Sequence, residues 1–196
     1  TGHYEKAEPL LNRALHIKKK ALGGDHLDVA ASLNNLADYF QTKGNYQEAE
    51  DSLKKALEII EKALGKESLH ATRSMNALAL LYLSMGRFQE GEELSRRSLK
   101  IREMAMGSDN PSISADLNSL AMVYHLTERY EKAEAMYKRA LDILEKAEDK
   151  KSPLITSPTV QTIGNLAALY SDKGEFTKAE HLLKKALTAA EMIFGK

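Results

Sequence analysis

The chain repeats itself with a period of 42 residues, and no other property of the sequence restricts its fold as tightly. Tyr4-Glu5-Lys6-Ala7-Glu8 returns as Tyr46-Gln47-Glu48-Ala49-Glu50, Phe88-Gln89-Glu90-Gly91-Glu92, Tyr130-Glu131-Lys132-Ala133-Glu134 and Phe176-Thr177-Lys178-Ala179-Glu180, at steps of 42, 42, 42 and 46. A second motif alternates with the first: Leu36-Ala37 then Phe40, Leu78-Ala79 then Tyr82, Leu120-Ala121 then Tyr124, Leu166-Ala167 then Tyr170. Between residues 4–23 and 46–65, 11 of 20 positions are identical, so the period reflects duplicated segments and not merely shared composition.

Both motifs predict helices. Ala49, Leu53, Ala56, Leu57 and Ile60 step by 4, 3, 1 and 3, which places them on one stripe of a helix. A short helix over 28–43 and a long one over 46–64 follow, with Gly44 and Gly65 where the residue after a helix often takes positive φ. Gly23, Gly86, Gly107, Gly174 and Gly195 are equivalent stops, and Pro111 and Pro158 sit where the next short helices begin. Four prolines and no tryptophan in a chain that is 43% hydrophobic and 29% charged agree with an all-α globular chain. Nine helices are expected, organised as one array: an orphan second helix of a truncated repeat over 1–24, then repeats over 25–66, 67–108, 109–150 and 151–196, the last with a longer connector.

Leu-Ala-x-x-Tyr, Gly, Tyr-x-x-Ala, then Leu and Ala resembles the tetratricopeptide repeat, whose small residues let paired helices approach while large ones fill the groove between them. The 42-residue period, Ala-Leu-Gly at the end of the long helix, Gly24-Asp25-His26-Leu27-Asp28-Val29-Ala30 in the connector and Leu33-Asn34-Asn35-Leu36-Ala37 in the short helix look like the kinesin light chain class. The resemblance implies a right-handed superhelical solenoid of antiparallel helix hairpins, with the short helices lining its concave side. It also implies a non-catalytic adaptor or scaffold that binds a protein partner, as an extended peptide or a helix, in that groove. Kinesin light chains are known for binding peptides with a tryptophan among acidic residues. Here Arg73 is the chief base on the groove positions, so only the peptide-binding mode carries over.

On that geometry the non-core positions of the short helices are the candidate groove. Asn34, Asn76 and Asn118 form a ladder of carboxamides able to read a peptide backbone, or alternatively to bond neighbouring helices and stiffen the stack. Leu80, Leu83, Met122 and Leu126 supply apolar anchors, or pack between repeats. His125 lies among them, Arg73 could pair with an acidic ligand residue, and Asp38 and Asp172 with basic ones. Asn35 and Asn165 are weaker candidates. Gly91, Ser95 and Ser98 replace bulkier or more helix-favouring residues, marking a soft hairpin. Glu128 stands where the other turns have glycine, and Gly164 is expected to interrupt a helix. The connector 148–158, with Lys150, Lys151 and Ser152, reads as a surface loop or a regulatory contact.

Other function classes find no support. Lysine plus arginine and aspartate plus glutamate are both 28, so no global positive field draws in nucleic acid or an anionic membrane. With no cysteine there is no disulfide framework or thiol nucleophile, which is compatible with a cytoplasmic setting. The six histidines show no metal-ligand spacing, no phosphate-binding glycine loop is present, and no cofactor or general acid–base pair can be assigned. The longest apolar run, 77–83, is far short of the roughly 20 residues that span a bilayer. The chain opens on Thr1 inside a long helix, as a fragment of a longer array would, and its open ends are expected to self-associate. Two rival readings remain: a regulatory or sensor segment that binds a neighbouring domain of its own parent, and an assembly scaffold acting through its ends or convex face.

Overall fold

The computed structural model describes residues 7–147 and 157–194. The motif start at Tyr4, most of the 148–158 connector and Gly195 lie outside the described residues. Among the described residues the structure is all-α, with nine α-helices and no strand. They are α1 (Ala7–Leu22), α2 (Leu27–Lys43), α3 (Tyr46–Leu64), α4 (Ala71–Ser84), α5 (Phe88–Met106), α6 (Ser114–Leu126), α7 (Tyr130–Ala147), α8 (Ser157–Asp172) and α9 (Phe176–Phe194), with a 3-10 turn, Pro111–Ile113, leading into α6. The chain divides into two compact units, Thr1–Ile101 and Arg102–Lys196.

In the first unit α2 pairs with α3, α3 with α4 and α1 with α2; in the second α6 pairs with α7, α7 with α8 and α8 with α9. The alanines of the two motifs are the contact points: Ala37, Ala49, Ala79, Ala121 and Ala133 are fully buried, because a methyl group is all that fits where helix axes approach closely. Leu53, Ile59 and Met75 in the first unit, and Leu117, Ile163 and Leu169 in the second, fill the space around them. The terminal helices differ from the internal ones. Ile17 of α1 is 55% exposed and Leu183 of α9 is 52% exposed, whereas their counterparts Ile59 and Leu53 are 1% and 0%.

Gly44 closes α2 at φ 78°, its N–H donating to Gln41 O at 3.0 Å while Asn45 N–H donates to Phe40 O at 2.9 Å. The turn after α6 makes the same two bonds without glycine. Glu128 takes φ 57°, donates to His125 O at 3.0 Å, and Arg129 N–H reaches Tyr124 O at 2.8 Å. Packing on both sides therefore holds a side-chain-bearing residue in the left-handed region.

Two features differ from expectation. Gly164 does not interrupt α8, which runs unbroken because burial of Ile163, Leu166 and Ala167 outweighs the weak helix propensity of one glycine. Gly91 in α5 answers a steric demand: a Cβ there would lie 3.2 Å from Ala79 O and 3.3 Å from Leu83 Cδ2, so the missing side chain is what lets α4 and α5 approach.

Candidate peptide-binding face

In the first unit the candidate residues lie on α2 and α4. Asn34 is buried, and its Oδ1 accepts a hydrogen bond from Ser74 Oγ of α4 at 2.9 Å. Exposed Arg73 of α4 reaches back to α2, its Nη2 donating to Asn35 Oδ1 at 3.2 Å and lying 3.5 Å from Asp38 Oδ2. Gln41 Nε2 donates to Ala77 O at 3.5 Å. Asn76 is half-buried, and Leu80 stands out at 40% exposure. Leu83, projected onto the same face, is instead 7% exposed, because the space above Gly91 receives it.

The second unit repeats the pattern on α6 and α8. Asn118 Nδ2 donates to Thr162 Oγ1 at 2.8 Å, and Thr162 lies at the position in its repeat that Ser74 holds in the first unit. In both units an asparagine of one short helix bonds a hydroxyl of the next. This places Asn34 and Asn118 inside the stack, where a buried carboxamide must be bonded, and not at the surface where a peptide backbone would lie. Asn118 Oδ1 is buried and has no partner among the described residues. His125 Nε2 sits 2.8 Å from Asp172 Oδ2, and its ring packs edge-on against Tyr130 with centroids 6.1 Å apart. Met122 is half-buried and Leu126 is 50% exposed.

A cavity of about 170 Å³ opens between α2, α3 and α4. Leu27, Ala31 and Ile60 form its apolar wall, and Asn34, His70 and Arg73 its polar side. Leu27, Ile60 and His70 escape a reading of the short-helix faces because they sit at the start of α2, on the long helix α3 and at the residue before α4. Only the third dimension brings them to the groove residues.

Beneath this face the repeats are tied by two recurring polar contacts. The glutamate that ends the Tyr-x-x-Ala-Glu motif accepts a hydrogen bond from the tyrosine of the following short helix: Tyr82 Oη donates to Glu50 Oε1 at 3.1 Å and Tyr170 Oη to Glu134 Oε1 at 2.9 Å. In the first repeat Phe40 replaces that tyrosine, and the adjacent Tyr39 reaches Glu8 at 3.3 Å. Cations complete each cluster, with Arg87 Nη1 at 2.8 Å and Lys54 Nζ at 2.6 Å from Glu50, and Lys173 at 2.8 Å and Lys138 at 2.7 Å from Glu134. Burial pushes the Glu50 carboxyl up, but hydrogen bonds from Lys54, Arg87 and Tyr82 outweigh it and the net shift is downward. Glu134 is lowered to about 2 by hydrogen bonds from Lys138 and Lys173, against burial, with Tyr170 adding to them.

The second contact joins consecutive long helices. Arg97 pairs with Glu61 at 2.7 Å, Arg139 with Glu103 at 2.7 Å, and Lys185 with Glu145. Arg97 and Arg139 also donate to the connector carbonyls of Lys66 and Ser108, at 2.5 and 3.0 Å. At the first junction the acidic partner is replaced by Lys19, and Lys55 turns to Glu58 of its own helix at 2.9 Å. This ladder was visible in the sequence as glutamates and bases repeating in register.

Among the described residues no group of three or more histidine, aspartate or glutamate side chains is placed to hold a metal ion. No helix among them is long and apolar enough to cross a membrane.

A tetratricopeptide repeat model matches residues 1–62 and 70–146, and a second such model matches 159–196. No curated protein matches the sequence. Among solved structures, BtubC (BKLC) from P. vanneervenii superposes with a TM-score of 0.81 at 24% identity, covering 100% of this chain and 76% of that one. A kinesin light chain from Podosopora anserina, with nearly identical TPR-like repeats, gives a TM-score of 0.75 at 26% identity over 100% of this chain and 90% of its own. The apo form of RapI gives 0.74 at 16% identity over 90% and 61%, a likeness of fold. The 42-residue period, the alanine contacts and these matches agree that the chain belongs to the tetratricopeptide repeat family, with repeats of the kinesin light chain type.

Proposed function

We propose that this chain is a protein-interaction module that holds an extended peptide against the exposed faces of its short helices. Tetratricopeptide repeats and their structural neighbours point to protein partners. The finer assignment rests on one observation, the cavity between α2, α3 and α4. Its volume of about 170 Å³ and its wall of Leu27, Ala31 and Ile60 suit one apolar side chain, and Arg73 at its edge can pair with a carboxylate of the same peptide.

Arg73 is available because its present partners bind it weakly. Its side chain is 62% exposed and Asp38 is 58% exposed, a pairing worth a fraction of a kcal/mol to about 1 kcal/mol. A ligand carboxylate can replace that contact at little cost. Asn76 and Leu80 extend the face along α4. In the second unit half-buried Met122 and exposed Leu126 offer apolar surface beside His125. Neither face carries an assignable nucleophile, acid–base pair or metal site, so the reading is of binding without chemistry.

The experiment is selection of a random peptide library against the chain, counter-selected on the double variant Arg73→Ala, Asn76→Ala. Enriched peptides that share an apolar residue next to an acid and bind the variant at least tenfold more weakly support the reading. Peptides that bind both proteins equally contradict it.

A further inference from the structure

The second unit carries another cavity, away from the short-helix face. It measures about 480 Å³ and opens between the long helices α7 and α9, with α8 behind them. Leu141, Leu166 and Leu182 form its apolar floor, while Lys138, Lys178 and His181 stand around it; its lining contains no acidic residue. A volume in the range of roughly 300–1,000 Å³ is that of an ordinary ligand-binding cleft.

The internal repeat supplies the comparison that gives this charge pattern meaning. The corresponding positions of the first unit, one pair of repeats earlier, are Lys54, Leu57, Leu78, Glu90, Glu93 and Leu94. The leucines are retained, but Glu90 and Glu93 stand where the second unit has Lys178 and His181. There Glu90 is held by Arg87, and Leu94 packs into both neighbouring core clusters. Two acids have become a lysine and a histidine around an apolar cleft.

The lysines retain capacity for a ligand. Lys138 meets Glu134 at 2.7 Å and Lys178 meets Glu175, but each ammonium has three donors. Lys178 also lies 5.1 Å above the ring of Tyr170, which lines the cleft and fixes where that charge sits. The facing groups are Glu134 and Lys138 on α7, Tyr170 on α8 with Lys173 beyond it, and Glu175, Lys178 and His181 at the start of α9. Lys173 bridges Glu134 at 2.8 Å and Glu175 at 3.1 Å, so both acids are already engaged by bases.

We infer that the α7–α9 cleft is a second docking site, for an acidic peptide segment whose aliphatic side chains enter the leucine floor while its carboxylates meet Lys138, Lys178 and His181. Charge complementarity selects this occupant: an apolar cleft with a basic edge disfavours a basic helix and leaves a neutral apolar segment without partners for the edge. The site is separate from the face in the proposed function and stands or falls without it.

The test uses the 196-residue chain and a fluorescein-labelled twelve-residue helical peptide with two leucines four residues apart among glutamates. Its counterpart has lysines in place of the glutamates, and decanoate is a competitor. Fluorescence anisotropy is expected to give at least tenfold tighter binding of the glutamate peptide than of the lysine peptide. Lys178→Glu with His181→Glu, which copies the first unit's charges, is expected to weaken it at least tenfold, and His181→Glu alone, at an exposed position, about threefold. Arg73→Ala, which disables the α2–α4 face, is expected to leave the tenfold loss caused by Lys178→Glu with His181→Glu unchanged. Equal binding of the two peptides, absence of binding to millimolar protein, binding by decanoate alone, or loss on Arg73→Ala with retention in the charge-reversed variants would each overturn the assignment.

Discussion

Glu134→Gln isolates the contribution of the inter-repeat cluster. In the native structure Glu134 accepts from Tyr170 at 2.9 Å, Lys173 at 2.8 Å and Lys138 at 2.7 Å. Glutamine keeps an acceptor for the tyrosine hydroxyl and nearly the same volume, so what is lost is the charge and the second acceptor, which Lys173 uses. The carboxyl falls from 4.5 to about 2 on folding. At about 1.4 kcal/mol per pKa unit this corresponds to roughly 3 kcal/mol at neutral pH. Lys138 is 58% exposed while Lys173 and Glu134 are each 18% exposed, and solvent screening of the exposed partner brings the expectation down to about 1–2 kcal/mol.

The sign of the pH dependence follows from the direction of that shift. The folded value lies below the unfolded one, so the stabilisation is complete above about pH 4.5 and is lost as pH falls toward 2. By pH 3 about 60% of it should be gone. Urea denaturation followed by circular dichroism should show the wild type more stable than Glu134→Gln by about 1–2 kcal/mol at pH 7, and by well under 1 kcal/mol at pH 3. A gap of the same size at both pH values would place the effect in packing and not in the ionised carboxylate, contrary to this expectation.

The glycines give a contrasting pair. Gly164→Ala, with nothing within 4 Å of the added carbon and helix on both sides, should stabilise by up to about 1 kcal/mol in thermal denaturation; Gly91→Ala, whose Cβ would press on Ala79 O and Leu83, should destabilise by about 1 kcal/mol despite the same gain in propensity. Glu128→Gly relieves a side chain held at φ 57° and should raise stability by about 0.5–1 kcal/mol in urea, whereas a loss would mean that the Glu128 side chain makes a stabilising contact.

The period, the helix type and most helix limits were legible because duplication repeats each signal. The short helix expected at 28–43 is α2, Leu27–Lys43, and the long one expected at 46–64 is α3. The exposed face was less legible. Projection onto a helix tells which residues share a side, but not what a neighbouring helix places over them. Leu83 shares a side with Leu80, yet Gly91 of α5 makes room for one and not the other. Asn34 and Asn118 looked like peptide readers, and the choice between that role and a bond within the stack turns on Ser74 and Thr162, each more than 35 residues away in the chain. The Arg97–Glu61 ladder could have been found, since both members recur with the period. The cavity beside Arg73 could not, since projection of each helix alone does not bring Leu27, Ile60 and His70 of separate elements around one space.

Occupation of the α2–α4 face by a peptide can be read residue by residue in an NMR titration, with a library-selected peptide added to isotopically labelled chain and backbone amide shifts followed. The largest shifts are expected on 27–38 and 70–80, around Leu27, Asn34, Arg73 and Leu80, and Arg73→Ala is expected to weaken the titration at least tenfold. Shifts confined to the long helices or to the ends of the chain, with 27–38 and 70–80 unmoved, would contradict it.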